Sequence, residues 1–154
     1  KALHRGIEVS GAIYPVEGLK LYGSGAIQKA TIEYGMNKGN RVPYAPRYTA
    51  TAGAKYQCGV GEGTLTTNVY GNFVSSQFSD LANTLEGSAN GNVGLIPKFF
   101  LLNATASYSY KQWNFNLNVL NLLNRKYFTT RHNAWGGIMP AATISILGGV
   151  GYQF

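Results

Sequence analysis

From Trp113 to Val119 the chain reads WNFNLNV, so that Trp113, Phe115, Leu117 and Val119 alternate strictly with Asn114, Asn116 and Asn118. A period of two is the signature of an extended strand with two unlike faces. An amide left unpaired in an apolar medium costs roughly 2–7 kcal/mol, so the asparagine face requires water or polar partners. The opposite face is wholly apolar. A strand of this kind separates a wet side from a greasy one.

The same pattern returns along the chain. Ile144, Ile146, Val150, Tyr152 and Phe154 share one parity against Thr143, Ser145, Gly149, Gly151 and Gln153, with Leu147 and Gly148 as the exceptions. Within Phe99 to Tyr110, Phe100, Leu102, Ala104, Ala106, Tyr108 and Tyr110 oppose Asn103, Thr105, Ser107 and Ser109. Thr64 to Val74, Tyr48 to Gln57 and Ile7 to Tyr14 alternate in the same way, and Leu19 to Ile32 is the least regular of the set. Aromatic residues gather at strand ends, as in the interfacial girdles that flank the apolar band of a transmembrane barrel.

Seven strands are therefore expected, with connections of two kinds. Short ones fall at Pro15 to Gly18, Cys58 to Gly63 and Lys111 to Gln112. Long ones, rich in Gly, Asn and Pro, fall near Glu33 to Pro46, Ser79 to Pro97 and Thr129 to Ala141. Tight turns on one side and long loops on the other characterise outer-membrane barrels. The odd count implies missing partners, because an open edge in a bilayer leaves backbone groups unsatisfied. The rest of a longer chain, further copies or one more strand are the three ways to supply them.

Composition agrees. Charged residues make up 12% of the 154, against about 25% in soluble domains. The mean hydropathy of −0.10 and the absence of any apolar run near 20 residues exclude a membrane helix. The net charge of +7 raises nucleic acid as a partner, but Lys and Arg are scattered and no nucleic-acid motif accompanies them. The lone Cys58 excludes an internal disulfide. Lys1 to Val9 lacks the apolar stretch of an export signal, so a removed signal or an internal piece of a longer exported chain is expected.

Four segments carry a family resemblance. RGIEVSGAIYPVEGLKLYGSGAIQKAT, GNRVPYAPRYTATAGAKY, NFNLNVLNLLNRKYF and the ending GGVGYQF resemble, in that order, the C-terminal part of TonB-dependent outer-membrane receptors, most similar in character to those for ferric citrate and siderophores. The resemblance implies an all-β, antiparallel, up-and-down transmembrane barrel. Residues 1–154 would form the C-terminal portion of a barrel of about 22 strands, with the plug domain and the earlier strands absent. It implies uptake of a ferric chelate across the outer membrane of a Gram-negative bacterium. The TonB-ExbB-ExbD system would be the partner, acting through the missing plug. No cofactor is implied, and the segment alone would transport nothing.

Gly149, Tyr152 and Phe154 correspond in the resemblance to the C-terminal signal read by the barrel-assembly machinery; anchoring at the inner interface is the plainer role for the two aromatics. Arg41, Arg47, Arg131 and His132 lie in the long connections. Arginine suits an anionic chelate, since its planar fork donates paired hydrogen bonds to carboxylates. Solvated loop charges or contacts to lipopolysaccharide phosphates are the alternative. His4, His132 and Met139 lack the partner spacing of a metal site. Tyr44, Tyr48, Tyr127, Phe128 and Trp135 are expected in the outer girdle or pocket walls. Asp80 is the only aspartate, and neither a carboxylate pair nor a G-x-S-x-G nucleophile motif occurs, so enzyme chemistry is not expected. Two other readings remain: a complete eight-stranded barrel acting as anchor or adhesin, and a lipid-modifying enzyme dependent on His4 or His132.

Overall fold

Alternation of this kind folds into strands throughout. The computed structural model describes residues 1–132 and 136–154, and every regular element in them is a strand: β1 (Ala2–Val16), β2 (Leu19–Ile32), β3 (Tyr48–Val60), β4 (Gly63–Val74), β5 (Gln77–Phe78), β6 (Leu95–Ile96), β7 (Phe99–Tyr110), β8 (Trp113–Leu120), β9 (Phe128–Arg131), β10 (Ile138–Pro140) and β11 (Ser145–Tyr152). Seven of them form one sheet in the order β1-β2-β3-β4-β7-β8-β11, and every neighbouring pair is antiparallel.

Register keeps the two faces apart. Leu117 opposes Ala106 on β7 and Gly148 on β11, whereas Asn116 opposes Ser107 and Gly149. Directly opposed residues share a face, so the apolar and polar rows keep to opposite faces across the sheet, with Leu147 opposite Asn118 and Arg5 opposite Lys29 as exceptions. A slip by one residue would exchange them. On the polar face Tyr22, Gly53 and Tyr70 form one row, and the Tyr22 hydroxyl reaches across β3 to donate to Asn68 Oδ1 at 3.0 Å. Gly53 makes that crossing possible, because a Cβ there would lie 2.6 Å from the Tyr22 ring.

The apolar face is not covered by protein. Trp113, Phe115 and Leu117 are 45%, 43% and 46% exposed, and the buried hydrophobic residues among those described are Ala30 and Ile96. Leaving a large apolar side chain in water forgoes roughly 1.5–3 kcal/mol each, which a sheet of this size cannot sustain. Lipid is the solvent that suits it. Tyr48 and Tyr56 on β3, like Phe100 and Tyr108 on β7, stand eight residues apart on this face. At about 3.3 Å per residue and a tilt near 40° that span projects to roughly 20 Å, close to an outer-membrane apolar band. The chain is thus a wall of a transmembrane antiparallel barrel, open within these residues, with β1 and β11 as its edges. Seven strands with two open edges do not favour the complete eight-stranded barrel.

Three strands differ from expectation in their bounds. β1 continues through Val16 and β3 through Val60, leaving turns of two residues, Glu17–Gly18 and Gly61–Glu62. Pro15, which cannot donate to a ladder, lies where the β1–β2 register shifts between Ile13 and Val16. The last strand begins at Ser145 and ends at Tyr152, so that Thr143, Ile144 and Phe154 fall outside it. The long connections carry two small ribbons, β5–β6 and β9–β10, in stretches whose Gly and Asn content reads as loop.

Candidate functional site

The long connections all emerge on one side of the sheet, and they are joined to one another rather than free. The first, residues 33–47, folds back on β2 through Val42 N to Ala30 O at 3.0 Å and Ile32 N to Asn40 O at 2.9 Å. Its Arg41 exchanges bonds with Asn83 of the second connection: Arg41 N donates to Asn83 Oδ1 at 2.7 Å, and Asn83 Nδ2 donates to Arg41 O at 2.9 Å. Asp80 builds the turn that presents Asn83, accepting from Thr84 N and Thr84 Oγ1 at 3.1 and 2.9 Å.

Arg41 and Arg131 act inside this assembly. The Arg41 guanidinium donates to Ala45 O at 3.2 Å and Ser76 O at 3.4 Å and covers the Phe78 ring at 5.2 Å. Arg131, 9% exposed, donates to Gly91 O at 3.0 Å and Leu95 O at 3.2 Å over the Phe128 ring. Tyr44 closes the triangle, with its N–H on Phe78 O and its hydroxyl on Arg131 O, both 2.8 Å. Charged donors on carbonyls are roughly twice as strong as neutral ones, so these two arginines fix the shape of the rim.

His132 follows Arg131 and lines, with Gly137, Ile138 and Met139, a recess of about 440 Å³. Arg47 lies apart from this assembly. It is exposed, its guanidinium stacks on Tyr48 at 5.3 Å, and it borders a groove on the apolar face. Of the aromatic residues expected in the girdle, Tyr48 takes that position. Tyr44 and Phe128 pack within the rim, and Tyr127 lies tilted against Phe99 with ring centroids 4.7 Å apart. Trp135 lies outside the described residues.

Asn103 and Asn121, which sequence reasoning did not single out as site residues, are 5% and 3% exposed. Asn121 N donates to Asn103 Oδ1 at 3.0 Å, Asn121 Nδ2 donates to Arg125 O and Ala142 O at 2.9 and 3.2 Å, and Asn121 Oδ1 accepts from Arg125 N at 2.8 Å. The segment NLLNR is thus a turn tied down by one buried residue, Asn121, that bends the chain out of β8, with Asn121 and Asn124 at φ of 52° and 48°. Asparagine is among the few residues that tolerate such a backbone. Two asparagines bracketing an apolar pair were the only local clue.

At the opposite side lie the short turns and the chain's end. Tyr152 packs edge-on against Trp113 at 4.8 Å and against Phe154 at 5.2 Å, and Trp113 stacks on Phe115 at 6.3 Å. Gly149 opposes Asn116 on the polar face. The aromatic cluster sits where an inner girdle belongs. His4, opposite Ala30 on β2, is on a different element from His132. Among the described residues no three of His, Cys, Asp or Glu converge on a metal-sized site.

Comparison with known proteins gives two findings. The family model described as the β-barrel of TonB-dependent receptor-like proteins matches residues 1–122. Among solved structures, the ferric citrate transporter FecA in its unliganded form superposes with a TM-score of 0.83 at 29% identity, over 97% of this chain and 24% of that one. BauA, the ferric preacinetobactin receptor of Acinetobacter baumannii, gives 0.81 at 26% identity, over 99% and 22%. The ferric yersiniabactin receptor FyuA of Yersinia pestis gives 0.77 at 18%, over 97% and 23%, a likeness of fold alone. The chain spans about a quarter of the length of these structures.

Proposed function

The chain belongs to the TonB-dependent receptor β-barrel family, and from that premise we propose that it forms the last third of the wall of an outer-membrane importer of ferric chelates, with ferric citrate or a siderophore as cargo. The observation that carries the reading is the likeness to FecA, a ferric citrate transporter, at 29% identity over 97% of the chain. The wall contributes structure and selectivity; it does no covalent chemistry. Its polar face lines the lumen, and its apolar face meets the lipid of a Gram-negative outer membrane.

In this reading the long connections face outside. Arg41 and Arg131 shape the rim, and the recess beside His132 and Met139 is the part of it open to a ligand. A plug domain would occupy the lumen and respond to TonB-ExbB-ExbD. Gly149, Tyr152 and Phe154 would present the terminal strand to the barrel-assembly machinery. Lipopolysaccharide would surround the outer half.

The test is iron uptake by cells that depend on the full-length receptor containing this segment. Expected is saturable uptake of a ferric chelate that ceases when TonB is removed, together with binding of that chelate to the purified receptor. Uptake that persists without TonB, or no affinity for ferric citrate, hydroxamate or catecholate complexes, would sink the proposal.

A further inference from the structure

One cluster of charge on the apolar face has no partner of its own. Arg5 on β1 and Lys29 on β2 are directly opposed in the ladder, and both are exposed. Like charges directly opposed across a strand pair destabilise it, and an anion held between them would offset that repulsion. Among the described residues the ion pair present is Lys111–Glu62, far along the sheet at the short turns, and no carboxylate neutralises Arg5 or Lys29. A third cation adjoins them: Arg47, whose backbone pairs with Gln28 (Gln28 N donates to Arg47 O at 2.9 Å), lays its guanidinium over the Tyr48 ring at 5.3 Å and borders the same groove as Arg5 and Lys29.

Height on the wall gives the cluster its meaning. Ile27 opposes Tyr48, and Tyr48 with Phe73 marks the outer aromatic line of the apolar face. Lys29 is two residues farther out, roughly 5 Å along the tilted strand. That is the level of lipid headgroups. Directly beneath the cations a groove of about 770 Å³ runs down the apolar face. Its floor is Gly25 and Ala50, and its walls are Ile7 and Val9 on one side and Tyr48 and Phe73 on the other. Gly25 gives it depth, since the nearest atom to a Cβ there is Thr49 O at 3.8 Å; a side chain would fit sterically and is not there.

We propose that Arg5, Lys29 and Arg47 with the groove below them form a site for a phosphate-bearing lipid of the outer leaflet, its phosphate between the three cations and one acyl chain in the groove. The inference rests on the apolar face being the lipid face and adds a specific occupant to it. Two chemistries converge: charge-assisted bonds to phosphate oxygens and burial of hydrocarbon along small residues. A free anion would use only the first, and a neutral lipid only the second.

Native mass spectrometry of the full-length receptor, released from nanodiscs containing either a phosphorylated outer-leaflet glycolipid or its dephosphorylated form, tests this. Expected is one retained molecule of the phosphorylated lipid, not displaced by millimolar inorganic phosphate. Retention should fall about tenfold or more in the double variant Arg5→Ala/Lys29→Ala, since each cation near an anionic surface contributes about a factor of five. Gly25→Leu should lower it as well, and Ala50→Leu serves if that variant does not fold. The inward-facing cation pair Lys20→Ala/Lys55→Ala, opposed in the same manner, should leave it unchanged. Equal retention of the dephosphorylated lipid, full retention in Arg5→Ala/Lys29→Ala, or an equal loss in the Lys20/Lys55 variant would overturn the proposal. Heat-dependent gel mobility reports whether each variant is folded. Ferric-chelate binding, measured on the same samples, should be unaffected by Arg5→Ala/Lys29→Ala; its absence from the wild type would count against the transport reading alone.

Discussion

The two ends of this wall solve the same problem, reversing the chain, by opposite means. On the inner side Glu17–Gly18, Gly61–Glu62 and Lys111–Gln112 reverse it in two residues each, with Gly18, Gly61 and Lys111 at φ of 77°, 59° and 50°. The side-chain links between these turns, Tyr110 Oη donating to Glu62 Oε2 at 3.2 Å and Lys111 Nζ paired with Glu62 Oε2 at 3.7 Å, lie at exposed positions. On the outer side residues 33–47, 75–98 and 121–144 reverse it through bonds between connections far apart in sequence, such as Tyr44 to Arg131 and Arg131 to Leu95. Local backbone chemistry sets the first kind. Buried side-chain donors set the second, so a single substitution there should have wider consequences.

Asn121→Ala should show the largest effect. It removes two donated bonds and one accepted bond at a residue 3% exposed and places alanine at a φ of 52°. Unsatisfied buried groups cost about 1–3 kcal/mol each, and the left-handed backbone adds about 1–2, so a loss on the order of 3–5 kcal/mol is expected. Denaturant unfolding of the full receptor measures it, and hydrogen exchange should rise first in residues 121–132. Asn121→Gly, which keeps the backbone and drops the amide, should recover about 1 kcal/mol of the loss. Arg131→Met comes next. Leaving Gly91 O and Leu95 O without their donors should cost about 2–3 kcal/mol, raise exchange in residues 87–95 and weaken chelate binding through the distorted rim. Arg131→Lys should not rescue it, because one ammonium cannot serve two carbonyls with the geometry of a planar fork. Unchanged exchange in either variant would mean that the outer connections hold themselves locally, and the contrast between the ends would fail.

The same contrast explains what could be read from the chain. The seven strands, their two faces and the alternation of short and long connections follow from period-two patterning such as WNFNLNV and from turn residues such as Glu17–Gly18, each legible within a few positions. Strand ends were less so, because Val16 and Val60 continue their ladders past Pro15 and Cys58 once a partner strand is present. The rim was not legible. Nothing near Arg131 in sequence says that its guanidinium is engaged by carbonyls 36 and 40 residues earlier, and Arg47 reads like Arg41 until the fold places it on the lipid face. Residue type identified the cations; only the long-range pairing separated Arg41 and Arg131, which shape the rim, from Arg47, which borders the groove on the apolar face.

At the inner end, Gly18→Ala should cost about 1–3 kcal/mol. A Cβ there would meet Gln57 O at 2.2 Å at a φ of 77°, so backbone must move, yet the damage should stay within the β1–β2 turn and the adjoining end of β3. Exchange in the outer connections should be unaltered.

Lys111→Gly should do least, and for that reason sharpens the contrast most. Lysine at a φ of 50° holds a backbone that glycine adopts freely, so the substitution relieves strain. Against that, it removes an ion pair to Glu62 at 3.7 Å whose side chains are 59% and 73% exposed, and a cation–ring contact to Tyr110 at 5.1 Å. Exposed pairs of this kind contribute about 0–1 kcal/mol, comparable to the relief and opposite in sign. The net change should stay within about 0.5 kcal/mol, and Glu62→Gln, which drops the pair without touching the backbone, should destabilise slightly more than Lys111→Gly does. If instead Lys111→Gly cost more than about 1 kcal/mol while Glu62→Gln cost nothing, Lys111 would hold the turn through more than its exposed pair with Glu62, and the inner end would be no more local than the outer.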